Sequence, residues 1–191
     1  IYLINMIRKN KIAFLLLLVW SFNASNAATA SDKVVEEVTI VKTSKETGKQ
    51  VFYFGKQVKK SKQATIVSKS VSFDSALGYG FDFNTATNVT LNKNSFATEA
   101  PTYFSVQVPE GNYQVSVTFG STTKNTNTTI KAESRRLMLD QQLLKKGETA
   151  TKTFNVNVRT TKIDATSQIQ LKERDFGQMN WDEKLTLEFL G

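Results

Sequence analysis

The chain has 191 residues and a net charge of +8, with no histidine and no cysteine. It therefore has no disulfide framework, no Ser-His-acid or Cys-His catalytic arrangement and none of the common zinc sites. Two prolines and nine glycines are too few for a fibrous or low-complexity chain. The composition predicts an ordinary folded domain without a metal or a cofactor.

The first segment of the chain has the three parts of a secretory signal peptide. Arg8, Lys9 and Lys11 supply a positive region, 12–20 is an unbroken apolar run, and 25–27 supplies the small residues before a cleavage site. Nine apolar residues cannot cross a hydrocarbon core that needs about 20. We therefore expect a secreted or periplasmic protein that has no membrane partner after cleavage.

The positive charge is concentrated before the folded part. Residues 31–70 hold nine lysines against four acidic residues, whereas 71–191 hold thirteen basic and thirteen acidic residues. No aromatic residues are interleaved with a basic face, as a nucleic-acid-binding surface would require. We interpret the lysines as solvated and expect no nucleic-acid partner.

Short strand-like segments follow one another along the rest of the chain, with turn residues between them. In chain order they are 38–41, 51–54, 64–67, 71–73, 103–108, 113–119, 130–139, 153–158, 167–171 and 184–189. This pattern is typical of an all-β sandwich. We assign 1–27 to a signal peptide, 28–49 to a polar linker and 50–191 to an antiparallel β-sandwich.

The clearest local pattern predicts a β-hairpin. Residues 103–108 and 113–119 both alternate, and 109–112 (Pro-Glu-Gly-Asn) has turn chemistry. Period-two alternation places Tyr113 and Phe119 on one buried face. We expect the two segments to pair directly.

Two charged residues interrupt the predicted strand 130–139. In an unbroken strand Glu133 and Arg135 would share a face with Leu137, so both charges would point inward. A bulge near Ser134 would resolve the conflict. We predict a buried ion pair between Glu133 and Arg135, because an unpaired buried charge is costly; an arginine on a binding face is the alternative.

Carbohydrate binding is the chemistry that the aromatic residues favour. Tyr79 stands between glycines and Trp181 between polar residues, as sugar-stacking rings often do, although core packing is the alternative for each. The candidate carbohydrate-binding residues are Tyr79, Trp181, Asn180 and Arg136. No catalytic residue is assigned, because the adjacent acids at 182 and 183 would point to opposite faces of a strand.

Four motifs occur together in one family. They are Tyr79–Phe83 (YGFDF), Tyr103–Tyr113 (YFSVQVPEGNY), Ala132–Leu139 (AESRRLML) and Asn180–Phe189 (NWDEKLTLEF). Over about 50–191 the chain resembles the N-terminal galactose-binding-like, jelly-roll-type sandwich of bacterial rhamnogalacturonan acetylesterases. In that family the sandwich precedes a GDSL-type (SGNH) hydrolase domain.

The resemblance implies a parent enzyme that deacetylates pectic polysaccharide, with its catalytic residues and one more sandwich strand beyond residue 191. This segment would then be a non-catalytic, carbohydrate-associated module whose partners are the hydrolase domain and pectic polysaccharide. Two alternatives stay open: a structural domain that supports the hydrolase without binding sugar, and a stand-alone adhesin-type sandwich.

Overall fold

The computed structural model describes residues 33–43, 48–56 and 63–191. Within them the chain forms two sheets and two short 3-10 turns, Thr85–Asn88 and Glu173–Asp175. The strands are β1 (Lys33–Lys42), β2 (Lys49–Phe54), β3 (Thr65–Val67), β4 (Tyr79–Asp82), β5 (Thr90–Leu91), β6 (Phe96–Thr98), β7 (Thr102–Gln107), β8 (Gly111–Gly120), β9 (Thr126–Ala132), β10 (Arg136–Leu144), β11 (Thr149–Val158) and β12 (Lys184–Leu190). The predicted all-β sandwich is confirmed. The predicted signal peptide lies outside the described residues.

The two sheets are each built from strands distant in sequence. The first has the order β11-β8-β1-β2-β3, with β6 paired to β1 and β5 paired to β6. The second has the order β10-β9-β12-β7-β4. Apart from the parallel pair β2–β3, the pairs are antiparallel.

The core lies between the sheets and is rich in phenylalanine. Phe52 and Phe54 of β2 contact Phe104 of β7 with ring centroids 5.4 and 5.0 Å apart. Phe96 of β6 contacts Phe189 of β12 at 5.3 Å. These edge-to-face contacts join the two sheets, since alternation along each strand turns one apolar face inward.

Residues 33–42 correct the prediction of a polar linker over 28–49. They form β1, which lies between β8 and β2, and Val35 and Val38 are fully buried. A bulge between Val35 and Glu37 shifts the register with β8. The bulge interrupts the alternation, so the sequence pattern shows only the second half of the strand.

The predicted hairpin is also wrong, although both of its strands exist. β7 pairs with β12 and β4, whereas β8 pairs with β1 and β11 in the other sheet. The chain crosses between the sheets over 108–110. Two strands with one apolar face each can pair edge to edge or pack face to face, and alternation alone does not distinguish these arrangements. The predicted buried face of 113–119 is confirmed.

Strand β12 lies inside its sheet. It is paired on one side with β7 and on the other with β9. The further sandwich strand that the resemblance implies after residue 191 would therefore find no free edge on β12. One edge of the first sheet is formed by β11, which pairs with β8 over ten residues without a register shift. On the inward face of β11 the exposed Lys152 lies between Ala150 and Phe154.

Candidate functional site

Three segments meet at one end of the sandwich: the β9–β10 turn, the residues after β11 and the residues before β12. The Arg136 Nη1 donates a hydrogen bond to the Asn157 carbonyl oxygen at 3.4 Å. The Glu133 backbone N–H donates to the Thr186 carbonyl oxygen at 2.9 Å. We call the polar group assembled there the Trp181 cluster; it comprises Glu133, Arg136, Arg159, Asn180, Trp181 and Asp182.

The β9–β10 turn replaces the continuous strand predicted over 130–139. Glu133 and Arg135 have φ angles of 52° and 70°, in the left-handed region, and the Arg135 N–H donates to the Glu133 carbonyl oxygen at 3.0 Å. Glu133 is only 2% exposed, whereas Arg135 is exposed. The predicted Glu133–Arg135 ion pair is therefore wrong, because the turn points the arginine into solvent.

Substitution of Arg135 tests this placement. Arg135→Ala is expected to change the free energy of unfolding by less than about 0.5 kcal/mol, as is usual for exposed side chains that lack a specific contact. Urea denaturation measures the change. A loss of about 3 kcal/mol, typical of breaking a buried ion pair, would contradict the exposed position.

Glu133 contributes a buried carboxyl group to the cluster. Burial raises its pKa from 4.5 to about 8; the hydrogen bond from Thr186 and the charges of Arg136 and Arg159 lower the pKa, and the charge of Asp182 raises it. The Thr186 backbone N–H donates to Glu133 Oε1 at 3.1 Å. Glu133 is therefore mainly protonated at neutral pH, which avoids a buried negative charge.

Trp181 supplies the aromatic surface of the cluster. It is half-buried, and the guanidinium carbon of Arg159 lies 5.0 Å from its ring centroid, within cation–π distance. In the adjacent residue, Asn180 Oδ1 is buried and has no hydrogen-bond partner within the described residues. An unpaired buried acceptor is unusual, but a ligand can reach this buried oxygen only if the Asn180 side chain turns outward.

The structure places Tyr79 away from this cluster. Tyr79 lies on the same face of β4 as the buried Phe81 and packs against the core. Its ring centroid is 5.4 Å from that of Phe52 in the opposite sheet. The ring is therefore part of the packing between the sheets, as the core alternative has it, and sugar stacking by Tyr79 stays a prediction.

Arg159 is the residue that sequence reasoning missed. It directly follows β11, and a single arginine at the end of a strand has no pattern that marks it.

The sequence marks Asp182 only as one member of a possible catalytic carboxylate pair with Glu183. In the structure Asp182 accepts a hydrogen bond from the Lys184 backbone N–H at 3.1 Å, and burial raises its pKa.

A second polar group supports the start of β12 on the outer face of its sheet. Asp82 Oδ2 accepts hydrogen bonds from Lys184 Nζ at 2.7 Å and from Ser105 Oγ at 2.9 Å. Ser105 Oγ also lies 2.8 Å from Thr186 Oγ1. We call these four residues the Asp82 network. Ser105 and Thr186 are 0% and 1% exposed, so neither hydroxyl can reach a substrate.

A cleft of about 1070 Å³ lies around the β5–β6 hairpin, the start of β1 and the 121–124 loop. Its lining includes three lysines and three asparagines but no Phe, Tyr or Trp. This cleft is near Gly120, at the opposite end of β8 from Gly111 and Arg159. We prefer the Trp181 cluster to this cleft as the candidate carbohydrate site because the cluster combines a ring with convergent polar groups and the cleft has no ring.

Among the described residues, no group of three or more acidic side chains is arranged to hold a metal ion. In the same part of the chain, no helix has the length and apolar character to cross a membrane. No protein-family model, curated protein or solved structure matches this chain significantly, and the resemblance to rhamnogalacturonan acetylesterases stays a prediction.

Proposed function

We propose that the sandwich is a non-catalytic carbohydrate-binding module and that a saccharide binds at the Trp181 cluster. The observation that carries this proposal is the half-buried ring of Trp181 with the Arg159 guanidinium carbon 5.0 Å from its centroid. Sugar sites combine an apolar surface with a few fixed polar groups that orient the ligand. The cluster offers the ring of Trp181 and, beside it, the guanidinium groups of Arg159 and Arg136.

Each polar residue has a distinct task in this proposal. The Asn180 side chain turns outward when the saccharide binds, and its Oδ1 then accepts a hydrogen bond from a sugar hydroxyl. Arg136 and Arg159 donate hydrogen bonds to ring or hydroxyl oxygens. Trp181 packs against the C–H groups of a sugar face.

The buried acids favour binding over hydrolysis. Glu133 is 2% exposed and its Oε1 is occupied by the Thr186 N–H. Asp82 is held by Lys184 and Ser105. Two accessible carboxyl groups on either side of a glycosidic bond are needed for hydrolysis, and these two are engaged in structural hydrogen bonds.

Replacement of the ring is the direct test. Trp181→Ala in the full chain is expected to lower the affinity for the recognised polysaccharide at least about tenfold, equivalent to about 1.4 kcal/mol. Affinity electrophoresis against rhamnogalacturonan, galactan, xylan and β-glucan measures the loss. Phe176→Ala is the matched control, because Phe176 is an aromatic residue of the same loop and is 65% exposed. Unchanged binding by Trp181→Ala would exclude the cluster as the sugar site.

The wider role is part of the same proposal. The signal-peptide pattern at 1–27 and the four family motifs support a secreted or periplasmic module in the chain of a pectin-degrading acetylesterase, beside an SGNH hydrolase domain. Pectic polysaccharide is then the first ligand to test.

A structural role beside another domain is the second candidate. The loop 159–183 exposes Ile163, Ile169 and Phe176, at 66%, 38% and 65%. Three exposed apolar side chains in one loop are the candidates for a contact surface with another domain, because contiguous apolar patches mark such surfaces. Failure to bind any of the four polysaccharides would favour this role over the sugar site.

A further inference from the structure

The two free edges on one side of the sandwich differ in regularity. β11 pairs with β8 over ten residues without a register shift, and in the part of the chain that the structure describes no strand pairs with its other side. β10, the edge of the second sheet that contacts β11, has two register shifts and a left-handed residue, Gln141, with a φ of 38°. Irregularities of this kind protect an edge from pairing with another chain. β11 lacks them and remains a regular edge.

The backbone groups of alternate β11 residues point to the free side. Asn157 faces Asn112 of β8, whose carbonyl oxygen accepts a hydrogen bond from Thr43 on the opposite side of β8. The Asn157 carbonyl oxygen likewise points away from β8, because it accepts a hydrogen bond from Arg136 Nη1. Since the orientation repeats every second residue in an antiparallel pair, three further residues direct their N–H and carbonyl groups outward: Thr151, Thr153 and Asn155. No hydrogen bond from elsewhere in the described chain reaches these groups.

A single cation lies on the inward face of this edge. Lys152 is exposed between Ala150 and Phe154, which are partly buried and packed against the core. Among the described residues, no carboxylate lies within 4.0 Å of the Lys152 ammonium group. The other residues of β11 are uncharged. The edge therefore combines free backbone groups and apolar side chains with one positive charge that lacks a partner within the described chain.

We propose that β11 is a docking edge for an extended segment of a partner protein that carries an acidic residue opposite Lys152. Strand addition of this kind takes its affinity from the backbone ladder and its specificity from alternate side chains. A carboxylate beside Lys152 offsets the loss of water from the ammonium group, whereas an apolar or basic residue leaves the covered cation unpaired. Apolar residues on either side of the acid contact Ala150 and Phe154. Binding at this edge does not require saccharide binding at the Trp181 cluster.

The probes that test the edge are two peptides, STVTETVTS and STVTKTVTS, which differ only in the sign of the central charge. In each peptide the central residue and both valines share one face of the strand. Fluorescence anisotropy of the labelled peptides measures binding to the full chain. We expect the Glu peptide to bind at least about tenfold more tightly than the Lys peptide, because juxtaposed like charges are costly. Lys152→Glu should reverse this order.

Lys93→Glu is the matched control, because Lys93 is an exposed lysine of the β5–β6 turn and its replacement changes the net charge of the chain equally. This variant should still prefer the Glu peptide, which separates contact with Lys152 from attraction by the net charge. Amide hydrogen exchange locates the peptide, since the Thr151 and Thr153 amides should become protected when it binds.

Three results would overturn the docking edge. They are the absence of binding by both peptides, a preference that Lys152→Glu leaves unchanged, and protection confined to residues outside β11. Light scattering tests the other occupant, a second copy of this chain. A dimer that forms without peptide and protects the same β11 amides would show that the edge serves self-association instead.

Discussion

Glu133→Gln is expected to stabilise the sandwich increasingly as the pH rises from 5 to 8. The pKa of Glu133 is about 8 in the folded protein against 4.5 for the free side chain. Its stabilising contribution is therefore fully present below about pH 4.5 and is lost as the pH rises through 8. Glutamine cannot ionise and can still accept the Thr186 hydrogen bond. The difference between the two proteins should approach about 5 kcal/mol above pH 8, since each tenfold change in an acid dissociation constant corresponds to about 1.4 kcal/mol.

Urea denaturation at pH 5, 7 and 9 measures this difference. Glu183→Gln is the matched control, because Glu183 is an exposed acid two residues beyond Trp181. The control should show no pH-dependent gain. A Glu133→Gln difference that is constant from pH 5 to 9 would show that the carboxyl is already ionised in the folded protein at low pH.

The second large effect is expected from Asp82→Ala. This substitution removes the acceptor for Lys184 Nζ, for Ser105 Oγ and for the Phe83 backbone N–H. The charged ammonium group of Lys184 would then be left with Asp182 Oδ2, 3.7 Å away, as its carboxylate partner. Because both side chains are half-buried and Lys184 keeps one partner, we expect a cost of about 2 kcal/mol, between that of an exposed pair and that of a buried one. Asp140→Ala, at an exposed position in β10, should cost less than about 0.5 kcal/mol.

The pH dependence of the Asp82 contribution has the opposite sign. Burial raises the pKa of Asp82, but hydrogen bonds from Lys184, Phe83 and Ser105 together with the Lys184 charge bring it below 3.8. The stabilisation is present above pH 3.8 and is lost as the pH falls through the folded-state pKa. In Asp82→Ala the acid-induced loss of stability should therefore be smaller. An equal acid sensitivity with and without Asp82 would show that the Lys184 contact does not persist in solution.

The sequence predicts the strands of this fold better than their partners. Alternating Val, Phe and Tyr mark 103–108 and 113–119 as strands, but sheet membership depends on long-range pairing that no local pattern encodes. Only part of β1 can be recognised from the sequence, because the bulge at Val35–Glu37 interrupts the alternation of apolar residues. No sequence pattern indicates the left-handed conformation of Glu133 either, since positive φ is uncommon in residues other than glycine and asparagine.

The candidate site is predictable only in part, for a similar reason. Asn180 and Trp181 are adjacent and stand out against the alternation around them, and Arg136 is close to a conspicuous charged run. Arg159 joins these three residues only through the tertiary fold, because the end of β11 lies beside the β9–β10 turn, where Arg136 bonds the Asn157 carbonyl oxygen. Tyr79 has the same local signal as Trp181, and only the packing of the two sheets shows that its ring faces inward.

Lys152 has a consequence for how copies of this protein meet in concentrated solution. The free side of β11 presents ten residues of extended backbone, the kind of template on which sheets of separate molecules can merge. A second copy that paired with β11 would cover the inward-facing ammonium group of Lys152 and would remove water from that charge, which is costly. We therefore expect this one cation to oppose continuation of the sheet into the next molecule along a strand whose other residues are uncharged.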